Sequence, residues 1–305
     1  MLKDSGIVVS VFMITYNQEN VIGQAIESIM MQRTSFNYQL VIGEDVSSDN
    51  TRSICEQYAT KYGNKIKLLP KRKENIGLIE NFIKTIKACD GKYISICDGD
   101  DYWIDNEKLQ KQVGFLESND DYSIVFSPIK KMLPNGELID GYRDNINRTL
   151  TIDDLIVQNF IPSVSSMFRN LQDSETIPHW FNRFPYGDWP TYLWTIKDGG
   201  KIYCIEDTTA VYRFNIGESS KVEDFDEVDI EILKLMYADK SFKRVKGVII
   251  KGLARKYLNL MAKYNRLGKH YKALEVLFKL ILNYPKKNYT LKMYLYSLKL
   301  SITRK

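Results

Sequence analysis

The sequence predicts an α/β fold: a Rossmann-like, mostly parallel central sheet with flanking helices, followed by a helical C-terminal appendage. Two observations predict the sheet. Apolar, strand-like runs begin near residues 7, 38, 65 and 93, and a helical pattern separates each run from the next, which is typical of βαβ units. A third observation predicts the appendage. From about Glu227 to the end, the 305-residue chain shows helical spacing.

The first half of the chain alternates between the two patterns. The apolar run Ile7–Ile14 is interpreted as a buried strand, and Val21–Met31 places its apolar residues at helical spacing. The other elements predicted here are the strands Tyr38–Gly43, Lys65–Leu69 and Tyr93–Cys97, a helix beginning at Asn50 or Thr51, and the helix Ile76–Ala88.

The second half is less regular. The turn Pro134-Asn135-Gly136 predicts a hairpin, and a helix hairpin near the end is broken near Gly268. The remaining predicted elements are the helices Lys108–Glu117 and Trp189–Lys197 and the strands Tyr122–Ser127, Ile202–Glu206 and Ala210–Phe214. We therefore expect an α/β domain at residues 1–225, with halves at 1–127 and 128–225, and a basic helical region at 226–305.

The charge is distributed unevenly along the chain. Residues 240–305 carry 18 Lys+Arg and one acid, Glu275, a net charge of +17, whereas the other residues carry 25 Lys+Arg and 37 Asp+Glu, or −12. Two interpretations of the basic tail stay open: a solvated face on packed helices, or attachment to an anionic membrane surface. Nucleic acid is not favoured as a partner, because no recognised binding module accompanies the charge.

Composition excludes several classes of protein. The four cysteines form no C-x-x-C pair and only two histidines occur, which argues against a zinc site and a serine triad. The first apolar run lacks a basic leader and a cleavage site, and no stretch approaches the roughly 20 apolar residues of a membrane span. We therefore expect a cytoplasmic protein, free or peripheral at the inner face of the membrane. The sequence does not indicate an oligomeric state.

Polar motifs follow three of the predicted strands. Thr15-Tyr16-Asn17 follows the first, Glu44-Asp45 the second and Asp98-Gly99-Asp100-Asp101 the fourth. In open α/β sheets ligands bind outside the carboxyl ends of the strands, so these motifs are expected to face one crevice. Residues i and i+2 of an extended chain point to the same side, so Asp98 and Asp100 can face one metal–diphosphate. Taken alone, the run is more typical of a solvated acidic turn.

The order of these motifs resembles that of family 2 glycosyltransferases of the GT-A fold. The resemblance rests on Ile14-Thr15-Tyr16-Asn17, on Glu44-Asp45-Val46-Ser47-Ser48-Asp49, on Asn75, Gly77 and Asn81, on Gly91-Lys92-Tyr93-Ile94, and on the acidic run at residues 98–101. It implies an inverting transferase that moves a sugar from a nucleotide-diphosphate donor, expected to be a UDP-sugar, to a saccharide or lipid-linked acceptor. It also implies Mg²⁺ or Mn²⁺ as cofactor and a role in surface polysaccharide synthesis.

The same resemblance implies roles for individual residues. Thr15, Tyr16 and Asp45 would hold the nucleotide base, Asp98 the ribose or donor sugar together with the metal, and Asp100 the metal. Asp101 would bind sugar hydroxyls or support the other carboxylates. The remaining donor-side residues would be Asn17, Glu44, Asn75 and Asn81. Two positions depart from the family pattern: Glu44 replaces an Asp and Val46 a Gly.

The second half supplies the predicted base. Inverting transfer needs a base to accept the proton of the attacking hydroxyl, and the resemblance implies an Asp or Glu in this half, which Asp188 in Pro185-Tyr186-Gly187-Asp188-Trp189-Pro190 fits. We also expect Asp188 to cap the helix Trp189–Lys197. Tyr186, Trp189 and Trp194 could stack on sugars or belong to the core.

Tyr212-Arg213 resembles the family's Y-R pair, so Arg213 is expected on the donor diphosphate. A His that often follows two residues later is Asn215 here, which leaves Arg213, Lys221 or a mobile loop to hold the diphosphate. Two alternatives remain: a non-catalytic nucleotide-sugar-binding module, and a nucleotidyltransferase. The latter would favour a Gly-rich loop after the first strand, where Thr15-Tyr16-Asn17 stands instead.

Overall fold

The computed structural model describes residues 6–142, 144, 147–171, 176–214, 225–283, 294–295 and 297–299. The chain divides into two compact units. The first contains residues 1–151 and 159–221, and the second contains residues 152–158 and 222–305.

The described helices are α1 Ile22–Met30, α2 Thr51–Tyr62, α3 Leu78–Lys87, α4 Lys108–Ser118, α5 Ile152–Val157, α6 Asp188–Thr195, α7 Phe225–Ala238, α8 Lys246–Arg266 and α9 His270–Asn283. The described strands are β1 Val9–Thr15, β2 Tyr38–Glu44, β3 Ile66–Leu68, β4 Tyr93–Ile96, β5 Tyr102–Trp103, β6 Tyr122–Phe126, β7 Ile129–Met132, β8 Leu138–Asp140, β9 Thr149–Leu150, β10 Met167–Arg169, β11 Lys201–Cys204 and β12 Ala210–Arg213.

The first unit is built on a mixed sheet. In the described part of the chain this sheet has the strand order β3-β2-β1-β4-β10-β6-β11-β9, and a smaller sheet has the order β5-β12-β7-β8. Strands β1 to β4 are parallel, as predicted, and β10 runs antiparallel to both β4 and β6. The chain leaves β1 towards β2 and β3 and returns to β4 on the other side. The carboxyl ends of β1 and β4 therefore form the switch point at which α/β sheets bind ligands.

The predicted α/β fold class is confirmed, and the physical reason is visible in the burial of the strands. Strand β1 is almost wholly buried, which is why its sequence is a continuous apolar run rather than an alternating one. The predicted hairpin is present as the antiparallel pair β7–β8, with Gly136 at a positive φ of 84° in its turn. Strand β10 was not predicted, because three residues are too few to show a period.

A lysine lies in the core of the first unit. Lys108, the first residue of α4, is fully buried, and its Nζ donates hydrogen bonds to Oγ of Ser95 (2.9 Å) and Oε1 of Gln112 (2.8 Å). The same nitrogen lies 4.2 Å from the centre of the Trp103 ring. Burial lowers the pKa of Lys108 from its ordinary value of 10.5 to about 7. The fold therefore tolerates this side chain more readily without its proton.

This buried amine predicts a pH dependence of stability. Between pH 7 and 10.5 the unfolded chain holds the proton and the folded chain does not, so the free energy of unfolding rises with pH in this window. We expect a gain of about 2 kcal/mol between pH 7 and 9, measured by urea unfolding. In Lys108→Met this rise should disappear, whereas the exposed control Lys84→Met should keep it. Equal slopes in the parent and Lys108→Met would contradict the assignment.

The second unit is helical. Gly252 of α8 lies against Ile156 of α5 so closely that a Cβ would come within 1.9 Å of the isoleucine Cγ2. Asp229 of α7 pairs with Lys256 of α8. Helices α8 and α9 are separated at Gly268, which has a positive φ of 71°, as the sequence suggested. Among the described helices, none combines the length and the apolar content that crossing a bilayer requires.

Candidate functional site

The carboxyl ends of three neighbouring strands lie at one edge of the large sheet. Strands β1 and β2 stay in register to their ends, so Thr15 is opposite Glu44, and the amide of Asp45 donates to the carbonyl of Thr15 (3.2 Å). On the other side of β1, the amide of Gly99 donates to the carbonyl of Ile14 (3.0 Å). The three polar motifs of the sequence therefore meet at the β1–β4 switch point.

Gly99 allows the acidic run to pass close to the end of β1. A Cβ at this position would lie 2.4 Å from Oε1 of Gln18 and 2.8 Å from Oγ1 of Thr15, closer than side-chain atoms approach one another. Gln18 and Thr15 are themselves joined by a 2.7 Å hydrogen bond. A side chain at residue 99 would therefore displace either the acidic run or the Thr15 hydroxyl.

We expect Gly99→Ala to lower the free energy of unfolding by about 1–3 kcal/mol, the usual effect of forcing an extra group into a packed site. Urea unfolding measures this directly. Gly114→Ala is the matched control, because Gly114 lies on the exposed side of α4 with no atom near its missing Cβ. That control should be neutral or stabilising by about 0.4–1 kcal/mol. Equal losses in the two variants would contradict the proposed steric role.

The charges of two other carboxylates act on Asp98 at this edge. Asp98 is half-buried, and its Oδ1 is buried without a hydrogen-bond partner. Burial raises the pKa of Asp98 well above its usual value, and the negative charges of Asp100 and Asp188 raise it further. The structure therefore brings the predicted base, from the second half of the domain, close to the acidic run.

Hydrogen bonds between Asp101, Arg213 and the backbone of Asp100 hold the acidic run in position. Asp101 is buried, and its Oδ1 accepts a hydrogen bond from the backbone amide of Arg213 (2.8 Å). The Arg213 guanidinium donates to the carbonyl of Asp100 and to the side chain of Gln24, and lies 4.7 Å from the Tyr102 ring centre. Of the two roles predicted for Asp101, these contacts favour support of the other carboxylates over binding of sugar hydroxyls. They also make Arg213 a residue that positions Asp100, while its predicted contact with the diphosphate stays a prediction.

Lys221, an alternative to Arg213 for holding the diphosphate, lies outside the described residues, as does Asn215, which stands where the family often has His.

The carboxylate of Asp45 is held by the loop that precedes α3. Its two oxygens accept hydrogen bonds from the amides of Ile76 (3.1 Å) and Gly77 (2.9 Å), and the Asn75 side chain donates to the Asp45 carbonyl (2.8 Å). Arg72 lies 3.4 Å from the same carboxylate. Asp45 is buried and its Oδ1 already accepts two hydrogen bonds, so the predicted contact with a base would use the second lone pair of Oδ2.

Asn81 connects the end of β2 to α3. It is buried, its Nδ2 donates to the carbonyl of Gly43 (2.7 Å), and its Oδ1 accepts from Arg72 (2.9 Å). Its amide is thus used inside the protein, and the structure gives it a positioning contact rather than a place on the crevice wall. Arg72 was not singled out from the sequence, because nothing local distinguishes it from the neighbouring lysines.

Hydrogen bonds join the loop after β1 to the loop after β2. The Asn17 amide donates to Oγ of Ser47 (2.9 Å), and Oδ1 of Asn17 accepts from the amide of Ser48 (2.9 Å). Buried Glu44 accepts from the Ser47 amide at 2.5 Å. Tyr16 is 37% exposed and free of the core. The predicted donor-side residues of these loops therefore form one hydrogen-bonded rim with the tyrosine ring accessible.

Val46 has a positive φ of 59°, the left-handed conformation that a β-branched side chain rarely adopts. This is the position at which the family pattern has glycine. The turn therefore keeps the backbone shape that favours glycine, at a cost of order 1–3 kcal/mol in strain.

Asp188 is the first residue of α6, and the preceding residue, Gly187, occupies the cap position. The prediction that Asp188 is the cap residue is therefore wrong by one position, because the helix begins one residue earlier than predicted. Oδ2 of Asp188 accepts a hydrogen bond from Nδ2 of Asn159 (3.0 Å). Asn159 lies 29 residues earlier in the chain, so no sequence pattern could have indicated this contact.

Buried aromatic residues surround this base. The Tyr192 hydroxyl donates to Oγ of Ser166 (2.9 Å), and burial raises the pKa of Tyr192, as do the charges of Asp188 and Asp98. Trp189 and Trp194 are buried, so the stacking alternative is wrong for both and they belong to the core. The fully buried ring of Trp189 cannot reach a ligand.

The residues at this edge fit a divalent cation. The buried oxygen of Asp98 without a partner, beside a second carboxylate at Asp100, is the kind of site at which a positive charge relieves repulsion. Within the described residues there is no cluster of three or more Asp, Glu, His or Cys arranged to ligate a metal. A cation here would therefore depend on one or two carboxylates and on phosphate oxygens from a ligand, which is the usual pattern for Mg²⁺.

The geometry of this edge agrees with the comparison to known sequences. Residues 10–173, more than half of the chain, match the family described as Glycosyl transferase family 2. The chain belongs to this family. An uncharacterised protein of Mycobacterium tuberculosis is 34% identical over 205 residues, which is 67% of this chain and 58% of that protein. A Bacillus subtilis protein described as the teichuronic acid biosynthesis glycosyltransferase TuaG is 27% identical over 206 residues, 67% of this chain and 78% of that protein.

Solved structures support the GT-A fold. Residues 1–349 of Staphylococcus aureus TarS, in complex with UDP-GlcNAc, match with a TM-score of 0.68 at 18% identity, over 97% of this chain and 90% of that one. The mannosyltransferase PcManGT of Pyrobaculum calidifontis, in complex with GDP-Man and Mn²⁺, matches with a TM-score of 0.55 at 15% identity, over 97% and 87%. At these identities the likeness concerns the fold alone.

Proposed function

We propose that this protein is an inverting, metal-dependent glycosyltransferase that uses a nucleotide-diphosphate sugar, with UDP-sugars as the first donors to test. The observation that carries the proposal is the buried oxygen of Asp98 without a hydrogen-bond partner at the β1–β4 switch point, where the charges of both Asp100 and Asp188 act on this carboxylate. Transfer of the sugar in a single displacement requires a base for the acceptor hydroxyl and a site for the departing diphosphate in the same crevice. The relatedness to TuaG favours surface polysaccharide synthesis as the setting.

In this proposal the rim formed by the β1 and β2 loops binds the nucleoside. Tyr16 offers an exposed ring, and Thr15 and Asp45 lie buried at the same strand ends behind it. Asp98 and Asp100 would hold the cation, which supplies positive charge to the departing diphosphate when it is bound. Arg213 fixes the backbone of Asp100, so that the carboxylates keep their places during the reaction.

The proposed chemical step is a single displacement. The oxygen of an acceptor hydroxyl attacks the anomeric carbon while the Asp188 carboxylate takes the hydroxyl proton. The bond between the anomeric carbon and the diphosphate oxygen breaks, and the nucleoside diphosphate leaves with the bonding electrons. Nδ2 of Asn159 donates a 3.0 Å hydrogen bond to Oδ2 of Asp188, which positions the carboxylate that is proposed to accept the proton.

A panel of nucleotide sugars tests this function. We expect the full chain to release a nucleoside diphosphate slowly from at least one of them, with water in place of the acceptor, and only when Mg²⁺ or Mn²⁺ is present. Release of pyrophosphate would instead identify a nucleotidyltransferase. Binding of nucleotide sugars without any released product, also with saccharide and lipid-linked acceptors present, would identify a non-catalytic module.

A further inference from the structure

Helix α9 presents a continuous apolar stripe to solvent. Tyr271 is 83% exposed, Phe278 62% and Leu282 81%, and Leu274 lies between them at 39%. The spacings of three, four and four residues place these side chains on one face of the helix. Isolated exposed apolar side chains are ordinary on protein surfaces, but four in register on one helix form a patch.

The stripe is not the face that holds α9 to its own unit. The residues that pack α9 inward are a different set, namely Ala273, Val276, Leu277 and Leu280, and all of them are buried. Helix α9 is therefore apolar on two sides, and the stability of the helical unit needs only the inner one. The exposed stripe calls for another explanation.

The part of the chain that contains the stripe is rich in basic residues. Lys269 and Lys272 near the start of α9 are exposed, and the single acid of the helix, Glu275, is paired with Lys279 (2.9 Å). Asp229 of α7 pairs with Lys256 of α8, whereas Glu227 and Glu231 of α7 line a cleft beside Lys272 and Lys279. The stripe thus belongs to a segment, residues 240–305, with a net charge of +17.

We propose that the exposed stripe of α9, Tyr271-Leu274-Phe278-Leu282, docks this protein on an anionic lipid surface. Apolar side chains on one helix face enter the boundary between headgroups and acyl chains, and neighbouring lysines bind the anionic headgroups. A second copy of the chain is the less fitting occupant, because it would bring another segment of charge +17 against the first. This inference does not depend on the sugar-transfer proposal.

Vesicle co-sedimentation of the full chain tests the proposal. We expect binding to phosphatidylcholine vesicles that contain phosphatidylglycerol, much weaker binding to phosphatidylcholine alone, and a loss of binding as salt screens the charges. The double variant Phe278→Ser and Leu282→Ser should bind at least about tenfold more weakly, because two exposed apolar side chains no longer enter the lipid. Both positions are exposed, so the fold should be retained, which circular dichroism checks.

The matched control carries two exposed apolar side chains of the hairpin strand β8, replaced as Leu138→Ser and Ile139→Ser. This control should bind like the parent. Equal binding of the control and the α9 variant would overturn the role of the stripe. Absence of parent binding to anionic vesicles at low salt would also overturn it. So would concentration-dependent self-association that is lost in the α9 variant and does not respond to lipid.

Discussion

Asp188→Asn is expected to lower the rate of sugar transfer by about 10²–10⁴-fold while the affinity for the donor stays nearly unchanged. The amide has almost the shape of the carboxylate and can still accept the hydrogen bond from Asn159, so the fold around α6 should be retained. It cannot accept the proton of the attacking hydroxyl. The measurement is kcat for transfer together with calorimetric affinity for the nucleotide sugar.

The matched control is Asp207→Asn, an exposed aspartate of the same unit that pairs with Lys111. It should keep the parent's kcat. Wild-type turnover in Asp188→Asn would remove this residue from the role of base. A loss of donor affinity that accounts for the whole defect would assign Asp188 to donor binding instead.

Asp100→Asn is expected to lower kcat/KM by about 10²-fold or more and to raise the metal concentration needed for half-maximal activity. The change removes a negative charge from the proposed metal site, whereas the contacts that place residue 100 are made by its backbone carbonyl with Arg213. The position of the residue should therefore be retained and its charge lost. Titrating Mn²⁺ at fixed donor concentration measures the shift.

The control for this variant is Asp120→Asn, which removes a carboxylate that is 98% exposed in its side chain. It should have the parent's metal dependence. If activity in the parent survives thorough chelation unchanged, the cation has no part in the mechanism. If Asp100→Asn and Asp120→Asn behave alike, Asp100 is not one of its ligands.

The strand-end motifs were predictable because their information is local. A buried parallel strand is a continuous apolar run, and the polar residues that follow it must lie at the sheet edge. Thr15, Asp45 and Asp98 could therefore be placed together from the sequence. The family resemblance added their expected roles, which the experiments above test.

The residues that position the site were not predictable from the sequence, because their contacts join distant parts of the chain. Asn159 reaches Asp188 across 29 residues, and Arg213 reaches Asp100 across 113. The capping prediction for Asp188 failed for a related reason. Residue type favours Asp188 as a cap, but the helix begins one residue earlier, with Gly187 at the cap position and packed against Phe82.

Short elements were also missed. The three-residue strand β10 separates β4 from β6, and α5 groups with the helical unit although the sequence placed it in the second half of the α/β domain. Six or fewer residues give no readable period, so their place depends on packing alone. The boundary of the α/β domain near residue 225 stays a prediction.

The central claim is that Asp98 and Asp100 form a metal–diphosphate site at the β1–β4 switch point. Anomalous X-ray scattering from crystals of the full chain grown with Mn²⁺ and UDP tests it most directly. The claim predicts a manganese peak within coordination distance of Asp98 or Asp100 and of the diphosphate oxygens. Manganese bound elsewhere, or a diphosphate bound away from these carboxylates, would contradict it.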